Sequence, residues 1–249
     1  MEWIEIIFLL GSAFLAGVIN SVAGGGTFFT FPALIFVGVS PIVANVTSSI
    51  AVWPGAVASA VAYRKQLRVD RKAVLALSLT SVMGGAIGAV VLLVTPVQMF
   101  ESLIPWLMLI ATLLFAFGDK LRARPVELEQ VNFTSPKSIL LQLGIALYGG
   151  YFGAGIGILM LALLSLLGVR DIHTMNALKT VLGSAINGVA VVIFLFSGMV
   201  HWPSAGVMVL AAVIGGYVGA HYAQKMPKPV VKRFVIIVGV LMTAWFFGR

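Results

Sequence analysis

One basic side chain, Lys179, lies inside an apolar segment of the chain, within the run "NALKT" of segment 174–198. An ammonium group in hydrocarbon is costly unless an anionic group offsets it. None of the eight acidic residues lies near the middle of an apolar segment, so no carboxylate partner is expected. The pattern predicts a bound anion at Lys179. The alternative is a lysine that reaches back to water, roughly 10 Å away at the helix start.

Two glycine clusters interrupt the longest apolar runs, 4–37 and 138–167. A helix that restarts after such a break has unpaired N–H groups and a partial positive charge at its N-terminus, which suits an oxyanion. Glycine also lets a ligand approach the backbone closely. We predict two anion-binding breaks, formed by Gly24, Gly25, Gly26 and Thr27 and by Gly153, Gly155 and Gly157. Close helix packing is the alternative role.

Small polar residues follow each glycine cluster at the start of the next apolar segment. As helix caps they would satisfy backbone groups. As donors facing inward they would complete an oxyanion cage. Both interpretations, helix capping and anion binding, stay open. The second makes them substrate-binding residues together with Lys179 and the glycines: Asn45, Thr47, Ser48, Ser49, Asn176 and Thr180.

Other chemistries find little support. The chain has no cysteine, and its three histidines lack the spacing of a metal site. Ser184 and His173 are eleven residues apart on one expected helix, roughly 16 Å, so they do not form a catalytic pair. We therefore predict no enzyme activity, no cofactor and no metal.

The composition indicates what positions these residues. Of 249 residues, 60% are hydrophobic and 10% are charged, against about a quarter charged in soluble domains. Runs of about 20 apolar residues are typical of transmembrane helices. The net charge of +8 comes from residues between these runs, which favours a membrane orientation signal over nucleic-acid binding. The predicted unbroken spans are 43–63, 73–94, 97–118, 174–198, 204–223 and 230–248.

The basic loops predict the orientation. Segments 64–72, 119–137, 168–173 and 225–233 hold 14 of the 16 Lys and Arg residues, which makes them cytoplasmic by the positive-inside rule. Counting spans back from these loops requires that 138–167 leave the cytoplasm and return to it. The same count has 4–37 leave the outside and return there. Each is therefore expected to be a hairpin of two short helices.

The two halves also match in sequence. Gly25 aligns with Gly155, and one inserted residue then aligns Asn45 with Asn176 and Ser49 with Thr180. We predict an all-α polytopic membrane protein of two inverted repeats, each a glycine-broken helical hairpin followed by three transmembrane helices. The repeats are 1–118 and 138–249, joined by the connector 119–137. In transporters with inverted repeats, the substrate binds at the midplane where broken helices meet.

The sequence resembles the TauE/SafE family of bacterial sulfite exporters. The resemblance lies in "AGVINSVAGGGTFFTFPALIFVGVSPIVANVTSSIAV" and its echo "YGGYFGAGIGILML…GVRDIHTMNALKTVLGSAING". The second motif departs from the family pattern, since GAGIG stands where a second triple glycine often occurs. The resemblance implies a multi-pass protein of the bacterial inner membrane that exports sulfite or an organosulfonate such as sulfoacetate.

The expected function is export of a small sulfur-containing oxyanion by alternating access, without a carboxylate relay. The expected partners are a small anionic substrate and the lipid bilayer, and no nucleic acid. An anion channel and a carrier of another small anion, such as a carboxylate, remain alternatives. The sequence leaves the coupling ion and the oligomeric state open, a homodimer included.

Overall fold

The computed structural model describes residues 2–22, 25–117, 132–169, 171–222 and 228–248. The described residues form ten α-helices and no strand. Gly24, most of the connector 119–137 and parts of loops 168–173 and 225–233 lie outside the described residues. The helices are α1 (Trp3–Val22), α2 (Thr27–Phe36), α3 (Pro41–Tyr63), α4 (Arg71–Val94), α5 (Val97–Phe117), α6 (Pro136–Tyr151), α7 (Ile156–Leu166), α8 (Ile172–Leu195), α9 (Trp202–Tyr222) and α10 (Lys228–Gly248). A 3₁₀ turn, Arg64–Gln66, follows α3.

Six of these helices are long and apolar enough to cross a membrane: α1, α3, α4, α5, α8 and α9. Two shorter apolar helices, α2 and α7, follow the glycine breaks. The expectation of two short helices within 4–37 is wrong for the first of them, because α1 has 20 residues and is long enough to span a membrane. Many large apolar side chains on the long helices are exposed, among them Leu79, Met83 and Ile87 on α4. Such an outer surface suits lipid rather than water. The protein is therefore an all-helical, multi-pass membrane protein.

The first two helices fold back on each other. Ring centroids of Phe8 and Phe36 lie 6.4 Å apart, while a Cβ on Gly26 would lie 2.7 Å from the carbonyl oxygen of Ala16. The start of α1 thus meets the end of α2, which is the contact pattern of antiparallel helices. Helices α6 and α7 also fold back on each other. Phe133, just before α6, lies in one buried cluster with Leu164, near the end of α7.

Each hairpin packs on a helix of the other half. Gly84 and Gly88 of α4 lie against α6, and Gly215 and Gly219 of α9 lie against α1. A Cβ at any of these four positions would collide with the facing helix, mostly with its backbone. Small residues permit this approach in membrane helices. Both pairs run parallel, since Gly88 meets Tyr151 further along α6 and Gly219 meets Ser21 further along α1.

Helices α3 and α8 cross at the middle of the fold. The indole Nε1 of Trp53 donates to the carbonyl oxygen of Ser184 at 3.2 Å, and each residue is twelve positions from the start of its helix. Thr47 Oγ1 accepts from the N–H of His201 at 3.0 Å, so α3 begins where α8 ends and α9 starts. The two helices therefore run in opposite directions through their contact.

Candidate functional site

The second glycine break, Gly153 to Gly157, has backbone N–H groups without hydrogen-bond partners among the described residues. Gly153 (φ +76°) and Gly155 (φ +73°) both adopt the left-handed conformation that glycine favours. The N–H groups of Gly155 and Gly157 donate to none of the described residues. Gly157 itself belongs to the first turn of α7, where unpaired N–H groups are expected. The hydroxyl of Tyr148 donates to the carbonyl of Ala154 at 2.7 Å and fixes the turn.

Asn45 connects α3 to this break. Its side chain is 1% exposed, and Nδ2 donates to the carbonyl oxygen of Tyr151, the last residue of α6, at 2.9 Å. The amide thus caps an unpaired carbonyl at the end of a helix. Its own oxygen, Oδ1, is buried and has no hydrogen-bond partner among the described residues.

The first break is more closed where the structure describes it. The N–H of Gly25 donates to Asn20 Oδ1 at 3.3 Å, and Gly26 lies against the backbone of Ala16. Thr27 is buried as the first residue of α2. The first break is therefore stabilised by the packing of Gly26 against α1 and by the hydrogen bond from the Gly25 N–H to the Asn20 side chain.

The structure brings the two breaks together. A Cβ on Gly155 would lie 3.4 Å from the ring of Phe28, which is two residues beyond Gly26, and 3.4 Å from Ala111. The rings of Phe31 and Phe152 also meet edge to face, with centroids 5.5 Å apart. The break residues that the sequence singled out are thus neighbours across the two halves, with phenylalanine rings between them.

The polar residues that open α3 have partners within the fold. Ser48 Oγ and Thr30 Oγ1 lie 2.6 Å apart and link α3 to α2. Ser49 Oγ donates to the carbonyl of Asn45 at 2.9 Å, within the same helix. Thr47 holds the His201 amide, as described above. In this conformation Thr47, Ser48 and Ser49 stabilise helix contacts.

Lys179 on α8 differs. Its side chain is 5% exposed, and within the described residues it forms no hydrogen bond and no ion pair. Neighbouring Thr180 donates to the carbonyl of Ala177 at 3.0 Å, and Asn176 is half-buried without a hydrogen bond to a described residue. Lys179 is therefore a largely buried cation without a partner among the described residues.

The start of α8 is fixed by a charged cap. Asp171 accepts from the N–H groups of His173 and Thr174, at 3.2 and 3.1 Å, and from the Thr174 hydroxyl at 2.6 Å. The Thr174 hydroxyl holds the pKa of the Asp171 carboxyl below its usual value, with smaller contributions from the two amides. The helix that carries Lys179 thus begins with an ionised N-cap.

The predicted cage does not form around one point in this conformation. Asn45 is eight positions before Trp53 on α3, and Lys179 is five positions before Ser184 on α8. Because the helices are antiparallel at the Trp53–Ser184 contact, Asn45 and Lys179 lie on opposite sides of it, about 20 Å apart along the axis at 1.5 Å per residue. Asn45 accompanies the second break, and Lys179 lies on the side where α1 ends.

Sequence reasoning missed several residues of this region: Tyr151, Thr30, Phe28 and the contact between Trp53 and Ser184. One signal was present. The offset of 131 residues that aligns Asn45 with Asn176 also aligns Trp53 with Ser184, and Gly84, Gly85 and Gly88 with Gly215, Gly216 and Gly219. The offset therefore pairs Trp53 with Ser184, and the structure shows that these two residues touch.

Comparison with known families decides the affiliation. The family described as "Sulfite exporter TauE/SafE" matches residues 9–246. The chain belongs to this family. Its membership agrees with the helical, multi-pass architecture and makes the protein a membrane transporter rather than an enzyme.

Curated relatives of the TauE/SafE chain carry general descriptions. A "Probable membrane transporter protein" of Haemophilus influenzae is 28% identical over 98% of this chain and 94% of its own length. "Probable membrane transporter protein ORF9" of Sinorhizobium sp is 29% identical over 95% and 90%. "Probable membrane transporter protein YfcA" of Escherichia coli K12 is 26% identical over 93% and 86%. No solved structure matches the chain.

Proposed function

We propose that the protein exports a small sulfur-containing oxyanion, sulfite or an organosulfonate such as sulfoacetate. The observation that carries this proposal is Lys179, a buried cation with no partner among the described residues. An unpaired charge within a membrane protein marks a substrate pathway more often than a structural contact. Membership in the sulfite exporter family supports the sulfur oxyanion as the class of substrate.

The proposed pathway has two polar stations on either side of the Trp53–Ser184 contact. Lys179 attracts the anion on one side. On the other side the unpaired N–H groups of Gly155 and Gly157 donate to it near Asn45. The two glycine breaks meet at this second station, since Phe28 lies against Gly155. The proposed binding position is near the midplane, between these breaks.

Inverted repeats would give the protein two alternating conformations. The 131-residue offset and the paired helix contacts, α4 on α6 and α9 on α1, support this internal symmetry. The symmetric contact of Trp53 with Ser184 is the proposed pivot. Pro54 lies inside α3 directly after Trp53 and removes one helix hydrogen bond, which favours bending there. Rocking about this point would expose the anion to each side in turn.

The proposed orientation places loops 64–72, 119–137, 168–173 and 225–233 in the cytoplasm of a bacterial cell and the N-terminus outside. The charge distribution supports this assignment. The parallel course of α1 and α9 supports placing the N-terminus on the same side as loop 199–203. An inside-negative potential favours anion exit by about 2.3 kcal/mol per charge per 100 mV, so export needs no coupling carboxylate.

Binding and transport by the purified protein test the proposal. Sulfite, sulfoacetate, sulfate and a small carboxylate are compared by thermal shift, since a ligand of the folded state raises the melting temperature. Reconstituted vesicles then report efflux of the anion that binds. We expect a sulfur oxyanion to bind most tightly and to show counterflow, the exchange stimulation typical of a carrier. Efflux without counterflow would identify a channel, and binding of the carboxylate alone would refute the proposed substrate.

Orientation is tested separately. Because the chain has no cysteine, single cysteines at Arg68 and Ser197 can be labelled without background. In intact cells an impermeant maleimide should label position 197 and leave position 68 unmodified. The reverse pattern would overturn the proposed sidedness.

A further inference from the structure

The side-chain oxygen of Asn45 is a buried acceptor that lacks a donor. Asn45 Oδ1 has no hydrogen-bond partner among the described residues, although the side chain is 1% exposed. The orientation of the amide is fixed, because Nδ2 donates to the Tyr151 carbonyl at 2.9 Å and a turned amide would bring two carbonyl oxygens together. Leaving a buried acceptor unpaired is costly, and such groups require an explanation.

This acceptor lies at the second glycine break. Oδ1 and Nδ2 share one carbon atom, so Oδ1 lies beside the Tyr151 carbonyl, where α6 ends and the break begins. Within the same break the N–H groups of Gly155 and Gly157 donate to no described residue. A ligand in this break would therefore meet backbone donors and the unpaired Asn45 Oδ1. The side-chain oxygen of Asn187 also lies at the break, 3.8 Å from a Cβ on Gly153.

This arrangement limits the chemistry of the ligand. A fully deprotonated oxyanion has only acceptor oxygens, and one of them against Oδ1 would place two lone pairs together. A cation would suit Oδ1 but would be repelled by the N–H groups, whose partial charge is positive. An oxyanion with one O–H group satisfies both kinds of partner.

We infer that the second break selects an oxyanion that carries its own hydrogen-bond donor, such as a protonated monoanion. Its O–H donates to Asn45 Oδ1, and its other oxygens accept from the glycine N–H groups. This inference rests on the proposed anion transport and adds the protonation state of the substrate. Hydrogen sulfite fits this class, whereas the sulfite dianion does not.

A matched pair of probes tests the inference. At weakly acidic pH methylphosphonate and methanesulfonate are both tetrahedral monoanions of similar shape, and only methylphosphonate carries an O–H group. Binding to the purified full-length protein is measured by thermal shift. We expect methylphosphonate to bind about tenfold more tightly, the effect of one buried hydrogen bond made or left unmade. If methylphosphonate and methanesulfonate bind the wild-type protein with equal affinity, the inference is wrong, and no variant is needed to show it.

Two alanine variants assign the preference to Asn45. Asn45→Ala should bring the ratio of the two dissociation constants close to one. Gln142→Ala is the matched control, because it removes another buried amide, one that donates to Ser81 Oγ at 2.8 Å between α6 and α4. This control should lower the melting temperature and keep the tenfold ratio. A ratio that survives in Asn45→Ala would show that Oδ1 does not contact the ligand.

The outcomes separate this inference from the proposed function. Binding of sulfur oxyanions without preference for the O–H group would refute the inference and leave anion transport intact. If none of these anions binds, hydrogen sulfite included, the proposed function fails and the inference fails with it.

Discussion

Matching positions in the two halves carry different chemistry. On α3 Ser48 shares a 2.6 Å hydrogen bond with Thr30, and this pair links α3 to α2. The 131-residue offset aligns Ser48 with Lys179 on α8, which is also buried and has no partner among the described residues. The first half therefore has a satisfied polar contact where the second half has an uncompensated charge.

The glycine breaks differ in the opposite sense. At the first break the Gly25 amide is occupied by Asn20. At the second break the N–H groups of Gly155 and Gly157 have no hydrogen-bond partner among the described residues, and neither has the side-chain oxygen of Asn45. The described residues thus leave one charge, Lys179, on one side of the Trp53–Ser184 contact and unpaired N–H donors on the other. An anion would meet different partners at the two ends of its path.

Making the second half resemble the first should have the largest effect. Lys179→Ser introduces the residue found at the matching position of α3. Because it removes a charged partner of the anion, we expect the dissociation constant to rise about 10- to 100-fold and export from vesicles to fall accordingly.

Thr30→Val is the control for this change. It keeps the shape of the side chain and removes the hydrogen bond to Ser48, so it should cost about 1 kcal/mol of stability and leave anion binding unchanged. Normal binding by Lys179→Ser would show that Lys179 does not contact the substrate.

Closing the second break should have the next largest effect. Gly155→Ala forces a left-handed conformation on an L-residue, at about 1–2 kcal/mol, and places a methyl group 3.4 Å from Phe28 and Ala111. We expect a lower melting temperature together with weaker anion binding. Gly144→Ala, in α6 with nothing within 4 Å of the added atom, should retain binding and should not lower the melting temperature. If the two variants bind alike, the second break is not part of the site.

The contact between Trp53 and Ser184 should affect the efflux rate more than the affinity for the anion. Trp53→Phe keeps an aromatic ring and removes the N–H that donates to the Ser184 carbonyl. Losing one such bond is worth about 1 kcal/mol, or several-fold in a rate. We expect the efflux rate to change several-fold while the dissociation constant stays the same. A change in affinity alone would argue against a pivot at this point.

The helix starts give the smallest expected difference. Asp171 caps α8 through its carboxylate, whereas α3 begins at Ser40 without a side-chain cap bond and with Pro41 in its first turn. Asp171→Ala should cost about 1 kcal/mol at neutral pH, and Ser40→Ala should cost less.

The pH dependence identifies the cause of the Asp171 effect. Because hydrogen bonds from Thr174 and His173 lower the pKa of Asp171, its contribution is present above the usual aspartate pKa and is lost as the pH falls through the lowered value. The melting temperatures of wild type and Asp171→Ala should therefore converge in acid. A difference that persists in acid would indicate a contribution other than the charged cap.

Much of this protein could be predicted from local patterns. Apolar runs of about 20 residues indicate transmembrane helices because only a helix satisfies its backbone in lipid. The family follows from the triple glycine and the "ANVTSS" run, and the match over residues 9–246 confirms it. The inverted orientation, the substrate and the role of each site residue stay predictions.

The arrangement of the site residues could not be read from the sequence. Residue type and helix position identify Lys179 as a charge within the membrane and Asn45 as a polar residue near a helix start. Distance along a helix gives depth only relative to that helix. The Trp53–Ser184 contact is needed to relate α3 to α8, and it places Asn45 and Lys179 on opposite sides.

By itself the sequence therefore determined an all-helical membrane protein, its family, its glycine breaks and a lysine well inside an apolar segment, because these depend on composition and local order. The tertiary structure decided which polar groups are satisfied: Ser48 by Thr30, Gly25 by Asn20, and Lys179 and Asn45 Oδ1 by no described residue. The physical reason is that a hydrogen bond between helices depends on how the helices pack, and residues distant in sequence set that packing.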